Sequence, residues 1–177
     1  ISLIKSLPLI INTFRGALKS MKGASASSNL RTEQDINIKI VLIVIAVLTL
    51  LVWLVPAIPI SLIGAVIVVI FGFFFATVSS RMVGLVGSSN NPVSGMAIAS
   101  LLITTLILKF TGTPGIQAMI SAISIGSIIC IVAAISGDTS QDLKTGFLLG
   151  ATPRKQQIGE VIGVIASALA IGGTLYL

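Results

Sequence analysis

IVLIVIAVLTLLVWLVPAIPISLIGAVIVVIFGFFFATVSS, residues 40–80, contains no charged side chain. A bilayer hydrocarbon core about 30 Å thick is crossed by about 20 mostly apolar helical residues. The stretch therefore holds two passes, with Pro56 and Pro59 punctuating a tight turn between them. Trp53, near the far end of the first pass, suits an interfacial anchor. Further charge-free runs cover residues 82–108, 110–137 and 161–177. Each holds one more pass, which makes five: about Lys39 to Val55, Ile60 to Ser80, Pro92 to Leu108, Ile116 to Ser136, and one starting near Ile158. The expected fold is an all-α integral membrane protein, a polytopic transmembrane helical bundle.

Composition agrees with that reading. Hydrophobic residues make up 55% of the 177 positions and charged residues 9%, against about 45–50% and about 25% in soluble domains. The formal charge of +6 is carried mostly by residues flanking the apolar runs, which fixes orientation and calls for no nucleic-acid partner. If the amino-terminal linker is cytoplasmic, alternation of the spans leaves only Lys109 of the basic residues outside. There is no histidine, and the one cysteine, Cys130, lies inside an apolar helix. This segment therefore supplies no disulfide framework, Cys/His metal cage or His-based triad, and no cofactor is expected.

Three segments follow from the pattern. In residues 1–22, apolar positions recur at helical spacing with Lys5, Arg15, Lys19 and Lys22 between them, as in a basic amphipathic helix lying on the membrane surface. The end of a preceding span followed by a loop is the alternative. Residues 23–38 read as a polar cytoplasmic linker, and residues 39–177 as the transmembrane region. The start at Ile1 and the stop inside an apolar run read as cut ends, and residues 1–22 lack a signal-peptide pattern. Small residues at four-residue spacing, Ala118, Ala122, Gly126, Cys130 and Ala134, and then Gly159, Gly163 and Ser167, are expected to be packing stripes. Cys130 is read as one of these small packing residues.

Two polar islands interrupt the apolar runs. The first, Gly84 to Gly95, is uncharged and rich in Gly, Ser and Asn. Pro92 lacks an amide donor and disfavours helical geometry at Asn91, so the backbone is expected to open there. Such a break is either a cytoplasmic connection or a re-entrant segment lining a watery route, because lipid cannot satisfy exposed backbone groups. The second island runs from Ser136 to Gln157. Thr139 with Asp142 three residues on resembles a capping box, and Thr152 before Pro153 looks like an N-cap and first helical position. Helix, break and second helix is the expected form. Its carboxylates, Asp138 and Asp142, belong either to a solvated loop or to the inner mouth of a pathway.

At these islands the chain resembles the oligopeptide transporter family, in particular its prokaryotic branch, related to the yellow stripe-like metal-chelate carriers. The stretches that carry the resemblance are SRMVGLVGSSNNPVSGM, residues 80–96, and GDTSQDLKTGFLLGATPRKQQ, residues 137–157, with SLIKSLP, residues 2–8, a weaker match. The resemblance implies a plasma-membrane carrier, in a prokaryotic inner membrane, for oligopeptides, modified peptides or metal chelates, coupled to protons or another cation. It also implies that this chain is an internal portion of a longer protein, whose remaining transmembrane helices are partners alongside the lipid and a possible second copy. Carried over to this sequence, the substrate-binding group is Ser88, Ser89, Asn90, Asn91, Pro92, Ser94 and Gly95, with Asp138, Thr139, Gln141 and Asp142 as a second set. Two readings compete with a carrier. One is a non-transporting scaffold or subunit. The other is an intramembrane enzyme using Asp138 and Asp142, which share a helix face but have no substrate bond positioned between them.

Overall fold

In the computed structural model the described residues are 30–56, 58 and 60–177, together with Pro8 and Asn12. The amphipathic segment expected over residues 1–22 therefore lies almost wholly outside them, as does Pro59 of the expected tight turn. Five long helices follow one another: α1 (Ile38–Leu54), α2 (Leu62–Val86), α3 (Val93–Phe110), α4 (Gly115–Leu148) and α5 (Pro153–Tyr176). All five are long and apolar enough to cross a membrane, and no strand occurs among the described residues. The chain is a multi-pass membrane protein.

Local chemistry sets the helix ends. Asn37 accepts the Lys39 amide at 3.0 Å to open α1, and Ser61 accepts the Gly64 amide at 3.2 Å to open α2. Gly112, at φ 71°, closes α3 as a left-handed cap. The Gly112 and Thr113 amides there donate back to Lys109 and Leu108, the paired bonds of a Schellman motif. Gly150, at φ 74°, closes α4 in the same way, with its own amide on Phe147 and the Ala151 amide on Gly146. Pro153 then stands at the start of α5 as expected, where its missing amide costs nothing. Thr152 occupies the N-cap position but makes no side-chain cap bond; the Arg154 amide instead donates to the Gln34 carbonyl of the linker at 3.0 Å.

The second island takes the expected form of a helix, a break at residues 149–152 and a second helix, but its first helix does not start there: α4 runs in from Gly115 as 34 continuous residues. Thr139 stands mid-helix and caps nothing. No proline occurs between Gly115 and Ala151, and Gly137 alone costs a helix only about 1 kcal/mol. At about 1.5 Å per residue α4 is about 51 Å long, so it outruns the hydrocarbon layer by roughly 20 Å. Its polar end therefore stands beyond the apolar slab as a helical post.

Helix α4 is also the centre of the bundle, packed most extensively against α2 and then α3, whereas α5 touches it lightly and α1 lies against α2. Phe75, Ile125, Ile129 and Ala133 fill the core with almost no exposed surface. Helix association in lipid depends on close packing more than on hydrophobicity, and small residues sit where backbones approach. At Gly126, for example, an added Cβ would lie 2.6 Å from the Leu101 side chain. The buried face of α4 is Ser121, Ala122, Ile125, Gly126, Ile129, Ala133 and Gly137, so only Ala122 and Gly126 of the expected stripe belong to it. Strict four-residue spacing drifts about 40° per step around a helix of 3.6 residues per turn, so Ala118, Cys130 and Ala134 swing toward its edges. Gly159, Gly163 and Ser167 of α5 are exposed and meet no other described helix.

Candidate functional site

The first island breaks where the sequence says it should. Helix α2 ends at Gly87, whose φ of 89° and ψ of 159° lie in a region nearly reserved for glycine. Ser88–Asn90 forms one 3-10 turn, and Asn91, at φ −68° and ψ 120°, is extended before Pro92. A helix that stops this way leaves carbonyls and amides without partners, and lipid offers none.

The post of α4 supplies them. Ser140 donates to the Ser80 carbonyl at 2.8 Å, Gln141 Oε1 accepts the Ser88 amide at 2.7 Å, and the Lys144 ammonium donates to the Gly84 carbonyl. Within the island, Asn90 Nδ2 donates to the Val86 carbonyl at 3.3 Å. One turn deeper, Asn91 Nδ2 donates to Ser79 Oγ at 2.8 Å, and the fully buried Ser79 hydroxyl donates to the Ala133 carbonyl at 2.5 Å. Gly137 lies directly against this pair: a Cβ there would fall 2.5 Å from Asn91 Nδ2 and 2.9 Å from Ser79 Oγ. The two islands, about fifty positions apart in sequence, form one polar joint between α2, α3 and α4.

Two clefts flank the joint. A groove of about 690 Å³ between α2 and α4 is lined by Thr77, Ser80, Ser136, Thr139 and Ser140, with Arg81 toward the break. A cleft of about 360 Å³ on the other side of α4 is lined by Asp142, Thr145, Gly146, Gln156 and Glu160, among others. Thr139 connects them, bordering the groove while its hydroxyl donates to Glu160 Oε2 at 2.7 Å.

The nominated residues divide accordingly. Asn91 and Gln141 are structural members of the joint. Ser89, Asn90, Pro92, Ser94 and Gly95 are exposed along the break, with Ser88 half-buried among them. Thr139 lines the groove, Asp142 lines the smaller cleft, and Asp138 is exposed. Ser79, Arg81, Gly137 and Glu160 were not singled out from the sequence. Glu160 carried a legible signal, since it is the last charge before an apolar run and such carboxylates are usually functional.

The OPT oligopeptide transporter protein family matches residues 2–177. The chain belongs to the OPT oligopeptide transporter family. A Haemophilus influenzae protein named as a candidate oligopeptide transporter is 35% identical over 181 residues, covering 90% of this chain and 29% of that protein. A Saccharomyces cerevisiae protein with a similar name is 35% identical over 118 residues, covering 67% of this chain and 15% of its own length. The chain thus spans less than a third of the curated OPT relatives it matches. No solved structure matches it significantly.

Proposed function

We propose that this chain is part of a secondary transporter that carries oligopeptides or modified peptides, with metal chelates as a further cargo class, across the plasma membrane, the inner membrane in a prokaryote. A proton or cation gradient drives it by alternating access. The observation that carries the proposal is the groove between α2 and α4, whose hydroxyls border a cavity beside a broken helix in an otherwise apolar bundle. A peptide presents amide donors along its backbone, and the groove hydroxyls of Thr77, Ser136, Thr139 and Ser140, whose protons are donated within the protein, keep lone pairs to accept from them. Arg81, exposed at the end of the groove near the break, suits a peptide carboxylate. The polar groups of Ser88, Ser89, Asn90, Ser94 and Gly95 border the route where α2 gives way to α3; from α4, Thr139 borders the groove and Asp142 the smaller cleft, with Asp138 exposed and Gln141 holding the break. The remaining helices of the full-length protein close the bundle around them.

The proposal is tested by substrate protection. In a cysteine-free background of the full-length protein, Leu143→Cys places a thiol in the groove and Met119→Cys places one on the exposed opposite end of α4. A peptide at ten times its dissociation constant is expected to slow maleimide labelling at position 143 about tenfold and to leave position 119 unchanged. Labelling at position 143 that ignores every peptide and chelate offered would favour the scaffold reading.

A further inference from the structure

The first two turns of α5 carry an unusual cluster. Gln156 Oε1, Gln157 Oε1 and Glu160 Oε1 are all buried and accept no hydrogen bond among the described residues. The other polar atoms of two of these side chains are engaged: Gln156 Nε2 donates to the Asp142 carbonyl at 3.1 Å, and Glu160 Oε2 accepts from Thr139. Residues three and four apart are neighbours on a helix surface. Helical side chains also lean toward the amino terminus, so the Glu160 carboxyl lies over the turn that carries both glutamines.

Unpaired buried acceptors are unfavourable, and a charged one most of all. Three on one helical turn require a positive centre. A hard cation meets that need, because oxygen ligands are what such ions take, and a proton on Glu160 meets it by turning an acceptor into a donor toward a glutamine. The charged groups on the packed elements are Asp138, Asp142 and Lys144 on α4, Arg154 and Lys155 in the first turn of α5, and, on the linker that meets α5 at Gln34, Arg31 beside Gly150 with the exposed Glu33 and Asp35. Lys144 is committed to the Gly84 carbonyl, Arg154 and Lys155 are exposed, and Asp142 adds negative charge to the same cleft.

We propose that Glu160, assisted by Gln156, Gln157 and Thr139, binds the monovalent cation whose gradient drives transport, either as a proton on the carboxyl or as an alkali ion held by the cluster. This rests on the carrier reading above. Thr139 supplies the link to cargo: a cation on Glu160 competes for the carboxylate oxygen that Thr139 now holds, and so resets a hydroxyl that borders the groove.

The test is thermal unfolding of the purified full-length protein in two arms, sodium chloride against choline chloride at pH 8, and pH 8 against pH 6 in choline chloride. A rise of the wild-type midpoint in the sodium arm identifies an alkali ion. A rise in the acid arm that depends on Glu160 identifies a proton. Glu160→Gln is expected to abolish the rise, and Glu33→Gln, an exposed carboxylate of the linker, to keep it. Should Glu160→Gln lack a cooperative transition, Gln157→Met and Thr139→Val decide, with the half-maximal cation concentration expected to rise about tenfold. A wild type silent in both arms, or variants that respond as wild type does, would overturn the proposal. Gradient-driven peptide uptake without any Glu160-dependent response sinks the cation site alone. A Glu160-dependent response without uptake of any solute sinks the carrier reading alone.

Discussion

Gly137→Val is expected to lower the stability of the bundle by roughly 2–4 kcal/mol, combining the strain of overpacking with the loss of hydrogen bonds. The first carbon of the new side chain would arrive 2.5 Å from Asn91 Nδ2, 2.9 Å from Ser79 Oγ and 2.9 Å from Val83 Cγ2. None of these is the free end of a flexible side chain. Ser79 is fixed to the Ala133 carbonyl and Asn91 to Ser79, so valine can be accommodated only by parting α2 and α3 from α4. Gly159→Val is the matched control, because a Cβ at Gly159 meets nothing within 4 Å and its effect is expected to stay within about 0.5 kcal/mol. Unfolding of the two variants in detergent or in bilayers checks the pair. Equal midpoints would mean that the three helices do not meet at Gly137 as closely as described.

The second large effect belongs to the bond that Gly137 accommodates. Ser79→Ala leaves the Asn91 amide with only its 3.3 Å bond to the Ala133 carbonyl and is expected to cost about 1–3 kcal/mol. Asn91→Leu removes the other half, and the double variant is expected to cost less than the sum of the singles by about 0.5–2 kcal/mol. The physical content lies in that difference. Each single substitution leaves the remaining side chain only its bond to the Ala133 carbonyl, while the double removes both members of the pair. A double-mutant cycle on unfolding free energy measures the coupling directly, and strict additivity would show that Ser79 and Asn91 do not support one another.

Much of the architecture is legible in the sequence, because lipid imposes one rule on every span. Charge-free runs longer than a bilayer is thick must be helices. Gly87 and Pro92 mark the break between α2 and α3 through their own backbone chemistry. The Thr111–Gly115 turn follows similarly, from a glycine past one helix end and a proline before the next helix. The continuation of α4 through residues 137–148 is not legible in the same way. Gly, Asp, Thr, Ser and Gln over that stretch match a loop by local preference, and what holds them in a helix is tertiary: Ser140, Gln141 and Lys144 face the open end of α2 and bond to it. Local reading sees polar residues without seeing the backbone groups of α2 and the break that they bond.

The candidate site divides along the same line. Asn91, Thr139, Gln141 and Asp142 were nominated through the family resemblance that the two polar islands carry, and the structure brings them to one joint and its flanking clefts. Ser79 was hidden, since a serine in a long apolar helix usually bonds to its own backbone and its partner lies 54 positions away. Glu160 was passed over, although its place about two turns into α5 puts it against Thr139. Gly137 offered two opposite meanings, a break or a close approach, and only the neighbour packed against it decides which applies.

The most direct measurement is uptake by the full-length protein in proteoliposomes, following labelled short peptides and metal chelates with and without an imposed proton or sodium gradient. Accumulation above the external concentration is expected only when a gradient is present, and it is expected to be lost in Asn91→Ala protein that still unfolds cooperatively. Entry of the same solutes at a rate indifferent to every gradient, or no entry at all into vesicles holding folded wild-type protein, would contradict a gradient-driven carrier.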